Sequence, residues 1–234
     1  MTAAGLRRSA PVATIDHGAL RANVEALLVR GDGGYSVADL RHDAWGHGVL
    51  PVARTLEAAG VDAVVVDALD IDRVAREAAG IAVTSAGVPT LDPGAVYGLP
   101  GSDGEPVLRL SGFVLLTKDL RAGEGVSYGF THRAESDTRI ALVAGGYAQG
   151  VVRGLGNRAS VSIGGTPCRI VGRVAMDVCV VEIGGTRAER GDEVVFFGAA
   201  GEGPGLADWV AATGFTAAEL VTAVGLRAQR EHTA

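Results

Sequence analysis

Apolar residues in the first third of the chain recur with two spacings. Leu20, Val24, Leu27 and Leu28 in HGALRANVEALL mark one face of a helix, and Asp16 just before it is placed to cap the first turn. YSVADL then reads as a strand, GVLPVARTLEAAG as a helix ending at Gly60, and VDAVVVDAL as a buried strand. DIDRVAREAAG reads as a helix with Gly80 beyond its end, and IAVTSA as another strand. Short all-apolar strands between amphipathic helices argue for βα units and a parallel sheet. Each unit takes about 30 residues, so only three fit before residue 87, and a whole (β/α)8 barrel of about 250 residues does not.

Residues 87 to 106, GVPTLDPGAVYGLPGSDGEP, are dense in Gly and Pro and mark a boundary. Beyond them β-branched runs dominate (VLRLSGFVLL, RIALVAGGY, ASVSIGG, TPCRIVGRVAMDVCVVEIGG, DEVVFFG), punctuated by glycine-rich turns at hairpin spacing. That pattern predicts a compact antiparallel barrel or sandwich. LADWVAAT and AAELVTAVG predict closing helices. The expected fold class is therefore α/β plus all-β, with a partial barrel-like α/β region over 1–100 and a β domain over 101–234.

Composition narrows the function classes. At 234 residues, 47% hydrophobic and 21% charged, the chain is long and apolar enough to bury a core. A formal charge of −6, with no run of like charges longer than three, argues against nucleic acid and an anionic membrane surface as partners. Cys168 and Cys179 lack CxxC spacing and are expected as buried reduced thiols; no metal site is expected. The basic pair Arg7 and Arg8 is followed by no apolar run, and no segment approaches the roughly 20 apolar residues of a membrane span, so a cytoplasmic protein is expected. The glycines form neither a GxGxxG nor a P-loop cradle. Of the 21 basic side chains, 20 are Arg and one, Lys118, is Lys. Any chemistry that needs a lysine amine falls to Lys118.

Five strings carry a resemblance: ATIDHGALRANV, RHDAWGHG, AGEGVSYG, GGYAQG and VGRVAMD. Together, and in this order, they resemble the alanine racemase family. There a (β/α)8 barrel holds pyridoxal phosphate, and a C-terminal β domain completes the active site of the partner subunit. RHDAWGHG is similar to the cofactor-lysine motif K-A-D/N-A-Y-G-H-G, AGEGVSYG to the segment of the catalytic tyrosine, and GGYAQG to a G-Y-A-D-G turn. VGRVAMD is similar to the substrate-carboxylate strand V-G-R-x-x-M-D. After Ala86 the sequence jumps to DPGAVYG, which resembles the end of the family barrel, so the middle strands are absent.

The resemblance implies site residues one by one. Arg41 stands where the family has the lysine that holds the cofactor as a Schiff base and serves as one base. A guanidinium stays protonated and has no free lone pair for an aldehyde. Tyr128 matches the second base, acting across the dimer. Trp45, Asp92, Tyr97 and Ala218 fall at cofactor-binding positions: Trp45 in place of a tyrosine, Asp92 where an arginine faces the pyridine nitrogen, and Ala218 where a tyrosine binds the phosphate. Tyr147, Met176 and Asp177 fall at substrate-binding positions. Gln149 stands for an Asp, and Arg139, Arg153, Arg173 and His132 are placed to orient the tyrosines or to form surface ion pairs.

These substitutions predict a shortened racemase-like protein that has lost pyridoxal-phosphate catalysis and persists as a binding or interaction module. A homodimer, or a heterodimer with a full-length racemase, is expected to cover the sheet edges left by the missing strands, and Arg41 could hold a small anion or amino acid. The alternative is a working racemase supplying D-alanine for the cell wall, with the amine coming from Lys118 or from a partner chain.

Overall fold

Asp16 caps the first helix as expected, its carboxylate accepting from the Ala19 N–H at 3.0 Å. The computed structural model describes residues 10–31, 33–198, 201 and 203–234; the basic pair at positions 7 and 8 lies outside them. The described chain divides into two compact units.

The α/β unit comprises 14–108, 216–226 and 230–234. This unit takes in the last helix and residues 230–234, which the division expected near residue 100 placed with the β domain. Three parallel strands, β2 (Val37–Asp39), β3 (Ala63–Val65) and β4 (Ala82–Thr84), stand in the order β2-β3-β4. Their register pairs Val37 with Ala63 and Ala63 with Ala82. Helices α1 (His17–Arg30), α3 (Val49–Ala58) and α4 (Ile71–Glu77) supply the predicted βα alternation. Leu20 and Val24 of α1, Val52 and Leu56 of α3, and Val64 of β3 are fully buried, which fixes the helix faces that periodicity marked.

Beside β2 the chain covers its own sheet edge. Val37 donates to Thr90 Oγ1 at 2.8 Å, and its carbonyl accepts from the Thr90 and Leu91 N–H groups. The Asp39 carbonyl accepts from the Tyr97 hydroxyl at 3.0 Å. The segment read as a boundary is thus part of this unit, with a single turn of helix, α5 (Pro93–Val96), inside it. An unpaired edge costs hydrogen bonds and invites aggregation, and these contacts occupy backbone groups along β2.

The β unit comprises 1–13, 109–215 and 227–229. Its strands are β5 (Leu108–Leu120), β8 (Thr138–Ala144), β9 (Ser160–Ile163), β10 (Thr166–Val171), β11 (Val178–Glu182) and β12 (Glu193–Phe197). All neighbours are antiparallel in the order β12-β9-β10-β11-β8-β5, and β12 pairs with β5 as well. The six strands therefore close on themselves, resolving the choice between barrel and sandwich, and closure leaves the ring without an edge. Val161, Ile170, Val181 and Phe196 fill the interior, and Trp209 of helix α6 (Leu206–Thr213) packs edge-on against Phe197 at 4.9 Å. Cys168 and Cys179 are both free and buried, and burial pushes the Cys179 thiol up to about 12.

No described helix is long and apolar enough to cross a membrane.

Candidate functional site

In the α/β unit the site is built where β2 runs into RHDAWGHG. The turn α2 (Arg41–Trp45) is wound the wrong way for L-residues, with φ of +57°, +55°, +54° and +52° at His42, Asp43, Ala44 and Trp45. Left-handed helical backbone costs about 1–2 kcal/mol per residue, so such a run persists only where its surroundings over-determine it. They do so here. The His42 N–H donates to Asp67 Oδ2 at 2.7 Å. Asp43 reaches forward to accept from the Val49 N–H at the start of α3 (2.8 Å) and forms an ion pair with Arg230. Arg230 in turn donates to the Gly46 carbonyl at 3.1 Å.

Helix α7 (Ala217–Gly225) closes the other side, backbone against backbone. A Cβ on Gly46, which has φ of +79°, would stand 2.9 Å from the Thr222 carbonyl oxygen; one on Gly225 would stand 2.2 Å from the Gly46 oxygen. Glycine at both positions is what lets the turn and the helix touch.

Arg41 turns back onto the end of β2. Its Nε and Nη2 donate to the two oxygens of Asp39 at 2.8 and 2.6 Å, and its backbone N–H adds a third bond at 3.1 Å. Asp39 is buried. Desolvation pushes its carboxyl up, but the hydrogen bonds and charge of Arg41 outweigh that, and the net direction is down. The same bonds raise the Arg41 pKa, and the nearby Asp67 carboxylate raises it further. The small anion expected at Arg41 would have to compete with Asp39 for this fork, in a field made more acidic by Asp67. Asp39 itself was not singled out from the sequence. Its signal was a lone acid inside an apolar strand, two residues before the arginine and so on the same side of the strand.

The aromatic positions are packed together. Trp45 stacks on Tyr97 at 5.5 Å and His47 stacks on the same ring at 4.5 Å. Burial, then the Asp39 and Asp43 charges, push the Tyr97 phenol well above its ordinary range, and its hydroxyl is committed to the Asp39 carbonyl. His47 Nδ1 lies 3.0 Å from both the Ala44 and the Trp45 carbonyl oxygens. Nδ1 therefore carries the proton, and Nε2 is left as a buried lone pair with no partner among the described residues. Burial lowers the His47 pKa to about 4, so the ring is neutral. Asp92 is the N-cap of α5, accepting from the Gly94 and Ala95 N–H groups. Ala218 sits in the first turn of α7.

Pyridoxal phosphate, the group the resemblance implies, does not fit these residues. Its aldehyde needs a free amine and its phosphate needs donors. Here the fork at position 41 is tied to a carboxylate, the Tyr97 hydroxyl is spent, Ala218 has nothing to offer, and the one orphaned atom, His47 Nε2, is an acceptor. Asp39, Asp43 and Asp67 would repel a dianion. Among the described residues no group of three or more His, Cys, Asp or Glu is placed to hold a metal.

The β unit gathers the remaining residues in one loop cluster. Tyr128 is 67% exposed in a 3-10 turn after β6 (Gly125–Val126), and the Ser127 hydroxyl before it donates to the Arg173 carbonyl. The Arg173 guanidinium passes beside Gly129, 3.5 Å from where a Cβ would lie. The carbonyls of Ala175, Met176 and Asp177 accept from Tyr147, Ala148 and Gly145, which staples the GGYAQG turn to the VAMD loop. Gln149, standing for an acid, donates to Asp177 at 2.9 Å. The Arg153 guanidinium lies over the Tyr147 ring at 4.9 Å, whereas Arg139 makes only an exposed ion pair with Asp119 at 3.8 Å. His132, on β7 (His132–Arg133), keeps Nε2 buried and unpartnered. Tyr147, Met176 and Asp177 are thus brought together, Tyr128 stands on the turn joined to the same loop at Arg173, and Met176 is exposed. Lys118 projects from β5, exposed, opposite Ile140 in the ladder.

Comparison with known proteins follows the same strings. A family model described as "Alanine racemase, C-terminal domain" matches residues 107–232. A curated alanine racemase from Frankia casuarinae is 40% identical over 144 residues, 61% of this chain and 38% of that protein. One from Mycobacterium avium is 43% identical over 137 residues, covering 55% and 35%. The chain spans between about a third and under half of the length of the curated relatives it matches. Among solved structures, alanine racemase from D-cycloserine-producing Streptomyces lavendulae superposes with a TM-score of 0.83 at 25% identity, covering 97% of this chain and 98% of that one. Alanine racemase from Bartonella henselae, solved with covalently bound pyridoxal phosphate, superposes at 0.81 with 18% identity and shares the fold.

Proposed function

Because the chain belongs to the alanine racemase family, we propose that it is a member without pyridoxal-phosphate catalysis, acting as an interaction module that pairs with a second copy or with a full-length racemase. One observation carries this reading: the side chain at the cofactor-lysine position is an arginine whose Nε and Nη2 both donate to the buried Asp39 carboxylate. A base and an anchor need a free lone pair, and this group offers none. The Bartonella relative holds its cofactor covalently; in this chain the corresponding motif has lost the amine. The exposed Tyr128 and Met176 support the pairing, since in the family this β domain faces a partner subunit.

The competing reading, a working racemase, would draw its amine from Lys118. That side chain stands in solvent on β5 beside Asp119, with no enclosure around it to hold a cofactor.

The test is direct. Stoichiometric pyridoxal phosphate followed by borohydride should add no mass to the purified chain, and L-alanine should show no conversion to D-alanine. A reduced adduct on Lys118 together with turnover would establish the enzyme reading instead. For the module, co-expression with a full-length racemase should give a complex on size exclusion, and migration as a lone monomer at every concentration would count against it.

A further inference from the structure

Two histidines from the ends of the α/β unit meet tip to tip. His17, at the start of α1, has Nδ1 2.6 Å from Thr55 Oγ1 on α3, and its Nε2 lies 2.9 Å from His232 Nδ1 on β13 (Gln229–Thr233). Proton bookkeeping fixes the direction. The Thr55 hydroxyl donates to the Pro51 carbonyl at 3.1 Å, so Oγ1 faces His17 with a lone pair, and His17 Nδ1 must be the donor. In a neutral ring Nε2 is then an acceptor, and His232 Nδ1–H donates to it.

His232 belongs to a strand that pairs in the sheet with β1 (Val12–Asp16) and is fastened at two further points. Arg230 grips Asp43 and the Gly46 carbonyl, and the Thr233 hydroxyl donates to the Ile15 carbonyl at 3.3 Å. The Arg230 contacts are those that hold the left-handed turn in place. The histidine pair therefore fastens the strand that restrains the strained backbone.

We propose that His17 and His232 form a proton-operated latch that fastens the C-terminal strand against the left-handed turn, closed while the pair carries at most one extra proton and open when both rings are charged. The first proton goes to His232 Nε2 and leaves the bond intact, stronger for being charge-assisted. The second must go to His17 Nε2. Two N–H groups then face each other across 2.9 Å, the bond is lost, and two cations repel.

The neighbouring charges set where this happens. Asp16 favours charge on His17 and Arg21 opposes it; Asp43 favours charge on His232, while Arg230 and His17 oppose it. His47, close by, is neutral. Burial is the largest influence on both rings and lowers both pKa values from 6.5. An open strand, with ordinary histidines, binds more protons than the latched one. The latch is thus fully closed above about pH 6.5 and is lost as pH falls below that value through the lowered pKa values.

Hydrogen exchange of the full chain tests this, read as protection factors corrected for the intrinsic exchange rate. Between pH 7.5 and pH 5, peptides covering 229–234 and 42–48 should lose protection by about tenfold or more, the equivalent of one pKa unit, while the β5–β8 ladder keeps its own. His232→Asn retains a donor toward His17 without a titrating group, and should hold the strand protected at both pH values. His232→Ala, with no donor, should leave the strand less protected than in the wild type at pH 7.5, and by the same amount at both pH values. An unchanged wild type, or a pH response that survives in both variants, overturns the latch.

Discussion

Asp39 and Arg41 lie two residues apart at the end of β2, and the buried carboxylate of the first takes both the Nε–H and the Nη2–H of the second. The two ends of this pair are not equivalent. The Asp39 side chain is 8% exposed and that of Arg41 is 43% exposed. Removing the arginine strands a charge in the interior, whereas removing the carboxylate releases a guanidinium to water.

Arg41→Met should therefore cost about 2–3 kcal/mol, the penalty of an uncompensated buried carboxylate, and Asp39→Asn less than about 1 kcal/mol. The pH profiles should differ in sign. In the wild type the Asp39 carboxyl is depressed, so its contribution is present above about pH 3.9 and is lost as pH falls through the lowered pKa. Without the guanidinium, desolvation, the largest influence, is opposed only by the backbone N–H at position 41 and by His42, and it raises that pKa, so the variant should lose stability as pH rises above about 4. Urea unfolding of both variants from pH 3 to 8 measures this; equal costs for the two substitutions would refute the asymmetry.

The left-handed turn gives a second inversion. His42 is exposed with φ of +57°, and replacing an L-residue there by glycine relieves about 1–2 kcal/mol of backbone strain. Against this stands the greater freedom of glycine in the unfolded chain, about 0.4–1 kcal/mol. His42→Gly should be stabilising by up to about 1 kcal/mol, where glycine in an ordinary helix costs about that much. Thermal unfolding of the variant decides it, and a lowered Tm would show that the turn is not strained.

Much of this architecture was legible in the chain. The spacing of Leu20 and Val24 gave the buried face of α1, Asp16 its cap, and the β-branched runs after residue 106 the strands of the barrel, because periodicity and caps are local signals. What escaped was long-range. That residues 88–97 would fold back over β2 depends on Thr90 and Tyr97 meeting backbone groups of Val37 and Asp39, and no local pattern encodes that. The site was half readable: the motif fixed attention on Arg41, but the acid that binds it stands outside the motif. The His17–His232 contact joins positions 215 residues apart and leaves no trace in sequence spacing.

The contact of α7 with the turn makes Gly225 a sharp probe. Glycine to alanine inside a helix ordinarily gains about 1 kcal/mol. At position 225 the new Cβ would stand 2.2 Å from the Gly46 carbonyl oxygen, far inside van der Waals contact and against backbone that cannot swing away. Gly225→Ala should destabilise by more than about 2 kcal/mol and loosen α7, seen as faster hydrogen exchange across 217–225. A stabilised variant would mean that the helix and the turn do not meet.

The β unit holds the last test, at Trp209. The side chain is fully buried, edge-on to Phe197 at 4.9 Å and to Phe196 at 6.3 Å, yet its indole N–H has no partner among the described residues. Two terms compete when it is changed. Truncation to alanine empties the site and should cost about 3–5 kcal/mol. Phenylalanine loses some volume but also removes a buried unsatisfied donor, itself a penalty of about 1–3 kcal/mol, so Trp209→Phe should fall within about 1 kcal/mol of the wild type. Urea unfolding followed by circular dichroism measures both, and in either variant the remaining indole, Trp45, reports the α/β unit alone by fluorescence. A phenylalanine variant as unstable as the alanine variant would mean that the N–H is satisfied in solution, by a water molecule reaching the core.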